Sequence, residues 1–459
     1  MKPKQKATLA MAAFLCVCLL PSLGMAVFPE RAAAAKQSLA PLPSLRAADG
    51  AWNTRYLEQL VDYAADHFAL RQEMITADAA LDAALFRVSA EESVVLGRDG
   101  WLFYRETLDD RLHTQPMSQR QLCCAARTLA LLSEYAESRG ARFAFTVAPN
   151  KASLYPDMLP SVGEPLPGAD DIDRLRPLLE REGVLYVDLF SAFRAREGEP
   201  LYYRTDSHWN ERGAALARDT LLAGLGRDAE ALLDGGWHAA GEHRGDLYEM
   251  LYPAGSGTEE ELAPDGGFAF SYAHPIRSAE DQRIETLRPD RTGRLLMFRD
   301  SFGNSLHPYL ADEWGGALFS RSMPCRLELL DEFGADTVLL ELVERNLDYL
   351  TLYAPVFPAP RRYLNGEPPV GAAYAALRAS DDGAPEGLVR LEGALCGAVD
   401  DDSPIYVQLG QALYEATPAG AADDHPFTLY LPREAAPEEA TVLYLQGGAL
   451  YRSASVERS

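Results

Sequence analysis

Between residues 118 and 342 the chain alternates helix-patterned stretches with short apolar runs, and this alternation constrains the fold more than any other feature. Ser118 to Ser138 repeats apolar residues at helical spacing, with Ser118 placed to cap its start and Gly140 its end. Arg142 to Ala148 (RFAFTVA) then reads as a buried strand. Asp170 to Glu182 is a helix pattern, Val184 to Leu189 a strand, and Asn210 to Leu225 a helix. Arg294 to Phe298 (RLLMF) and Thr337 to Leu342 (TVLLEL) are near-continuous apolar runs, the signature of strands buried on both faces. Phe302 to Trp314 and Arg326 to Phe333 read as helices, and Ala317 to Ser320 as a strand. Strands alternating with helices predict βαβ units, a mostly parallel sheet, and hence an α/β domain.

Beyond Pro360 the helical periodicity fades. Short strand patterns at Gly387 to Ala394, Pro404 to Gly410, Pro426 to Leu431 and Ala440 to Tyr451 are divided by acidic turns. They predict a small all-β, sandwich-like unit. The N-terminus carries Lys2, Lys4 and Lys6, and Ala7 to Phe28 holds no charge. This predicts an export signal or signal anchor over 1–28, followed by an Ala/Ser/Pro-rich linker over 29–50. The α/β unit is then 51–360 and the β-rich unit 361–459. The bulk of the chain is expected outside the cytoplasm, secreted or membrane-anchored.

Charge narrows the partners. Lys plus Arg number 43 and Asp plus Glu 68, a net charge of −25, which argues against nucleic acid. No glycine-rich phosphate motif follows any strand, so no nucleotide cofactor is expected. The cysteines beyond the N-terminus, Cys123, Cys124, Cys325 and Cys396, lack metal-ligand spacing and read as small apolar residues. No metal and no other cofactor are predicted.

In open sheets of this kind ligands sit beyond the carboxyl ends of the strands. Two such ends carry chemistry. Asp300-Ser301-Phe302-Gly303-Asn304 directly follows RLLMF, which would raise Ser301 above the sheet at a helix start, where free N–H groups can stabilise an oxyanion. Asp206-Ser207-His208 lies at the mouth of another helix, where Asp206 can hold one imidazole nitrogen and leave the other free as a base. Taken alone, each segment reads more readily as a helix cap. Together they predict acyl transfer or ester hydrolysis, with Ser301 as nucleophile, His208 as base and Asp206 orienting it. At a third strand end, Asn150 is a candidate oxyanion donor and Lys151 a candidate for orienting an anionic acceptor, with Tyr155 beside them. Trp209, Arg299 and Arg345 complete the candidate substrate-binding residues.

At these residues the sequence resembles the SGNH-like acyltransferases of the DHHW and alginate O-acetyltransferase group. The likeness is carried by Gly97-Arg98-Asp99-Gly100-Trp101-Leu102-Phe103, by Pro149-Asn150-Lys151 with Tyr155-Pro156, by Thr205-Asp206-Ser207-His208-Trp209-Asn210, and by Arg299-Asp300-Ser301-Phe302-Gly303. It implies a three-layer α/β/α fold, a triad of Asp206, His208 and Ser301, and O-acetylation of an exported polysaccharide. It also implies a membrane partner of the MBOAT type that passes acetyl groups outward. Ser207 stands where a DHHW protein carries its second-position histidine. A carbohydrate acetyl-esterase with the same triad, and a non-catalytic glycan-binding scaffold of an export complex, are the competing expectations.

Overall fold

The computed structural model describes residues 39–458 apart from 48–49, 161–162, 164, 420–423 and 436–439, together with 5, 8, 11, 14 and 24. The predicted signal over 1–28 and most of the linker lie outside the described residues. Among those described, no helix is long and apolar enough to cross a membrane.

The strands of the main sheet are β1 (Arg142–Ala148), β2 (Tyr186–Val187), β3 (Ser271–Tyr272), β4 (Arg283–Leu287), β5 (Arg294–Phe298), β6 (Gly316–Ser320) and β7 (Thr337–Val343). Their order across the sheet is β2-β1-β7-β5-β6-β4-β3. The first five run parallel, and β4 and β3 close the far edge antiparallel. Residues along each strand alternate between two cores. Phe143, Phe145 and Val147 of β1 and Val338, Leu340 and Leu342 of β7 face one core, while Ala144, Ala148, Leu339 and Val343 face the other. An apolar run with no polar alternation therefore feeds both faces, and each buried Leu, Val or Phe contributes about 1.5–3 kcal/mol relative to exposure.

Helices α1 (Gln119–Ser138), α2 (Asp171–Glu182) and, later in the chain, α6 (Glu328–Phe333) cover the first face. Helices α3 (Leu189–Arg194), α4 (Glu211–Gly224) and α5 (Gly303–Ala311) cover the second. The result is the three-layer α/β/α arrangement expected from the sequence. Ser118 caps α1 with a reciprocal capping box to Gln121. The strand expected over Val184 to Leu189 is cut to Tyr186–Val187, because the Asp188 side chain accepts the Ser191 N–H at 3.1 Å and starts α3 early.

The C-terminal region is one curled sheet, antiparallel except at its last pair, wrapped over its own core. The strand Ala412–Pro418 makes the bend. Its first part pairs with Ile405–Leu409, and its end, Thr417 and Pro418, pairs with Thr428 and Phe427. Expected strands appear at Leu388–Cys396, Ile405–Leu409 and Pro426–Pro432, while the stretch read as one strand over Ala440 to Tyr451 is a hairpin of Ala440–Gln446 and Ala449–Arg452 that turns at Gly447 and Gly448; Tyr374–Ser380 and Ala412–Pro418 join them, which the pattern does not reveal. The sheet is bolted to α1 by a buried carboxylate. Glu415 accepts Nε and Nη2 of Arg127 at 2.7 and 2.8 Å and Nε of Arg362 at 2.6 Å. Cys123, Cys124 and Cys325 are buried and unbridged.

Candidate active site

The carboxyl ends of β5 and β1 and the loop 202–209 meet above the sheet. After β5, the Asp300 carboxylate fixes the turn: Oδ1 accepts the Phe302 N–H at 2.9 Å, and Oδ2 accepts the Val343 N–H at 2.7 Å and Asn346 Nδ2 at 3.1 Å. Gly303 allows the tight approach of α5, since a Cβ there would lie 2.6 Å from the Arg299 side chain. This turn presents Ser301 at the start of α5.

Loop 202–209 is held from below and from the side. The Lys151 ammonium donates to the carbonyls of Tyr203 at 3.2 Å, Arg204 at 3.1 Å and Asp206 at 2.5 Å. Glu259 accepts the N–H groups of Arg204 and Thr205 at 2.9 and 2.8 Å. The hairpin Trp237–His243 with Glu259–Pro264 then returns against the loop at Gly245, where a Cβ would sit 2.2 Å from the Thr205 carbonyl. Only glycine fits that contact, and it delivers His243 and Asp246 to Asp206.

The resulting chain of hydrogen bonds is continuous. His208 Nε2 lies 2.8 Å from Ser301 Oγ, and His208 Nδ1 lies 2.7 Å from Asp206 Oδ1. Asp206 Oδ2 accepts His243 Nε2 at 2.8 Å and the Asp246 N–H at 2.9 Å. Asp246 in turn accepts the Ser207 N–H and hydroxyl at 2.7 and 2.6 Å. Burial works to raise the Asp206 pKa, but the two histidines outweigh it and hold the carboxyl well below its usual range. Burial lowers the pKa of both His208 and His243, and Asp206 reverses the sign, so both end above the ordinary histidine value. A serine, an imidazole and an anchored carboxylate in this order can remove a hydroxyl proton and hold it during acyl transfer.

The remaining candidates take other positions. Asn150 is fully buried: its Nδ2 donates to Asp110 at 2.7 Å and its backbone N–H to Glu344 at 2.8 Å, and it is not among the residues lining the cleft above Ser301. Lys151 is 3 % exposed, and its carbonyl contacts and the nearby Trp101 and Phe103 rings keep it inside. It props the loop and does not reach an acceptor. The Tyr155 hydroxyl bonds the backbone at Glu199 and Leu201. Trp209 packs against Phe193 and Phe302 beneath the triad, and its Nε1 donates to Ser305 at 2.7 Å. Arg299 is buried and ties α5 to the Ala279 carbonyl at 2.7 Å. Arg345 lies between the rings of Tyr104 and Phe302.

Three contributors escape the sequence reading. His243 ends the first hairpin strand and Asp246 opens the short helix Asp246–Leu251 that follows it, neither within a motif of its own. Asn304 lines the cleft beside Ser301, and because arginine can only donate, the Arg299 guanidinium fixes its Oδ1 and leaves Nδ2 for the cleft. Donor atoms of Asp206, His208 and Asp246 also lie within 4.8 Å of one another, a spacing that could hold a cation. Those of His208 and Asp206 are committed to each other in the triad chain.

Fold and site together define an α/β/α domain with a serine-histidine-aspartate constellation above its sheet. Residues 94–281 match the family model described as SGNH hydrolase-like domain, acetyltransferase AlgX, which bears out the resemblance to the alginate O-acetyltransferase group. That stretch includes Asp206 and His208 and ends before Ser301. Among curated proteins, the Probable alginate O-acetylase AlgJ of Pseudomonas syringae pv. tomato is 28% identical over 171 residues, covering 36% of this chain and 41% of the relative. Its namesake from Pseudomonas aeruginosa is 32% identical over 149 residues, covering 32% and 36%. The matched stretch thus spans about two-fifths of those relatives' length. Solved structures similar to the chain include Bacillus cereus PatB1, 17% identical with a TM-score of 0.43, covering 55% of this chain and 97% of that one. The O-acetyltransferase domain of Pseudomonas putida AlgJ is 19% identical with a TM-score of 0.38, covering 56% and 92%.

Proposed function

We propose that the chain is an extracytoplasmic O-acetyltransferase that places acetyl groups on hydroxyls of an exported polysaccharide. The observation that carries the reading is the unbroken chain Ser301–His208–Asp206 at 2.8 and 2.7 Å. The partial matches to alginate O-acetylases support it.

In this reading His208 Nε2 takes the Ser301 proton as Oγ attacks the acetyl carbonyl of a donor ester. Asp206 stabilises the imidazolium that forms and keeps Nδ1 protonated. The backbone N–H of Ser301 and Nδ2 of Asn304 face the developing oxyanion, and the donor alcohol leaves with the proton from His208. A sugar hydroxyl then attacks the acetyl-serine, His208 takes that proton, and Ser301 is restored. Acetyl-CoA is absent outside the cytoplasm, so a membrane acyltransferase of the MBOAT type is the proposed donor partner. Residues 51–360 form the proposed catalytic unit, and the β-rich 361–459 a proposed carbohydrate-binding accessory.

The test supplies the purified chain with an activated acetyl ester and oligosaccharides and follows acetate and acetylated sugar by mass spectrometry. Sugar acetylation lost in Ser301→Ala supports the transferase. Ser301-dependent release of acetate alone makes the protein an esterase. Turnover unchanged by Ser301→Ala rules out Ser301 as the nucleophile, and no turnover above background in the wild type leaves the scaffold reading.

A further inference from the structure

Asp206 carries one negative charge and serves two imidazoles. Its Oδ1 lies 2.7 Å from His208 Nδ1, and its Oδ2 accepts His243 Nε2 at 2.8 Å. His243 is stacked on the Tyr203 ring, with centroids 3.9 Å apart. Burial works against a proton on His243, and Asp206 more than reverses this. Once His243 holds a proton, the Asp206–His243 pair has no net charge. The imidazolium that forms when His208 takes the Ser301 proton then lacks a counter-charge of its own.

A second carboxylate stands on the same nitrogen. Asp246 Oδ2 lies 3.5 Å from His208 Nδ1. The group is clamped there by Ser207, whose N–H donates to Oδ1 at 2.7 Å and whose hydroxyl donates to Oδ2 at 2.6 Å. The same hydroxyl lies 3.2 Å from His208 Nδ1. The Leu247 N–H also donates to Oδ1, at 2.7 Å. These donors are neutral and leave the carboxylate its charge. Around His208, burial opposes a proton, Asp206 and then Asp246 favour it, and Arg345 opposes it. Glu211, bound by the Tyr203 hydroxyl, and Glu280 are the other acids of the cleft lining.

Resting on the acyltransferase reading above, we infer that Asp246 is a positioning residue for the reaction, a second carboxylate clamped by Ser207 that balances the imidazolium of His208. In the acylation step the proton passes from Ser301 Oγ to His208 Nε2. The Oγ electron pair forms the bond to the acetyl carbon, and the carbonyl pair moves onto the oxygen. Nδ1–H stays on His208, bonded to Asp206 with Asp246 alongside. Asp246 neither gives nor takes a proton. It acts by its field, and an opposite charge within ~4–6 Å moves a pKa by about 1–3 units. Asp246 also opens the helix Asp246–Leu251, where an acid suits the free N–H groups, so the test has to separate a charge that serves His208 from a helix cap.

The full chain is assayed for nitrophenol release from p-nitrophenyl acetate between about pH 5 and 9, where the inflection in kcat/KM reports the base of the free enzyme. Asp246→Asn keeps the shape and removes the charge. Its inflection should fall by about 1 pH unit and its plateau kcat by about tenfold, with KM little changed. Asp246→Glu keeps the charge, and its inflection should stay at the wild-type pH even where its rate falls. A folded Asp246→Asn that is slower at every pH with its inflection unmoved makes Asp246 a helix cap and overturns the inference. A histidine 15N titration of the wild type decides the matter if that variant does not fold. His208 and His243, assigned from His208→Gln and His243→Gln, should take up protons over the same pH range. Uptake in two steps more than about 2 pH units apart, the mark of two cations competing for one carboxylate, would overturn the inference. Wild-type release that is absent, or that Ser301→Ala leaves unchanged, removes the triad reading itself before any Asp246 variant is compared.

Discussion

Lys151→Met separates a propping lysine from an acceptor-binding one. The ammonium donates to three backbone carbonyls of the loop that carries Asp206 and His208. Methionine keeps the stem between the Trp101 and Phe103 rings but removes all three donors. Each orphaned carbonyl costs about 1–3 kcal/mol. Part of that is offset, because burial already disfavours the charge and pushes the Lys151 pKa down to about 8. A net loss of about 2–5 kcal/mol is expected, the cost of three carbonyls left without donors less the relief of a buried charge. The loop then sags, and a displacement of ~1 Å at His208 lowers kcat by about 10²-fold. Urea unfolding measures the first effect, and p-nitrophenyl acetate turnover the second. A variant of unchanged stability and ester turnover, with only its acceptor KM raised, would refute the argument and return Lys151 to the role its sequence context suggests.

Three further outcomes follow from the same structure. His243→Leu removes one of the donors holding Asp206, a charge-assisted bond of about 1.5–3 kcal/mol, so kcat should fall by about tenfold or more with KM little changed. His243→Gln, which keeps an N–H donor, should restore part of it. In the pH profile, Ser301 acylation requires neutral His208, whose pKa lies above the ordinary value because Asp206 outweighs burial. Rates should therefore rise with pH through an inflection above about 6.5, and an inflection below it would contradict the Asp206 assignment. Glu415→Gln removes the carboxylate that Arg127 and Arg362 share, while Arg127 keeps Glu182 and Arg362 keeps Glu134, so unfolding should show a loss of about 1–3 kcal/mol with room-temperature ester turnover unchanged.

The layers of the fold are legible because parallel strands advertise themselves. RFAFTVA, RLLMF and TVLLEL have no polar face, and each matches an observed strand to within a residue. The Asp-Ser pair is legible because it directly follows a strand, where the sheet itself collects chemistry, and the Asp-x-His pair because it opens a helix, α4. The direction of a side chain at a strand end is not legible. Asn150 and Lys151 lie beside the site in sequence, yet both turn inward, toward Asp110 and the loop carbonyls. His243 and Asp246 arrive through a hairpin contact that depends on Gly245, and no local pattern marks such a long-range approach. In the β-rich region Tyr374–Ser380 escapes notice because YAALRAS carries alanines where a strand pattern needs larger apolar residues.

The nucleophile is the claim on which the rest depends. A fluorophosphonate probe, followed by peptide mapping, tests it in one step, since only a serine activated by a neighbouring base reacts quickly. A single rapid adduct on Ser301 is expected, slowed severely in His208→Ala and absent in Ser301→Ala. Folded protein that leaves Ser301 unlabelled while retaining its esterase or transferase activity would contradict it.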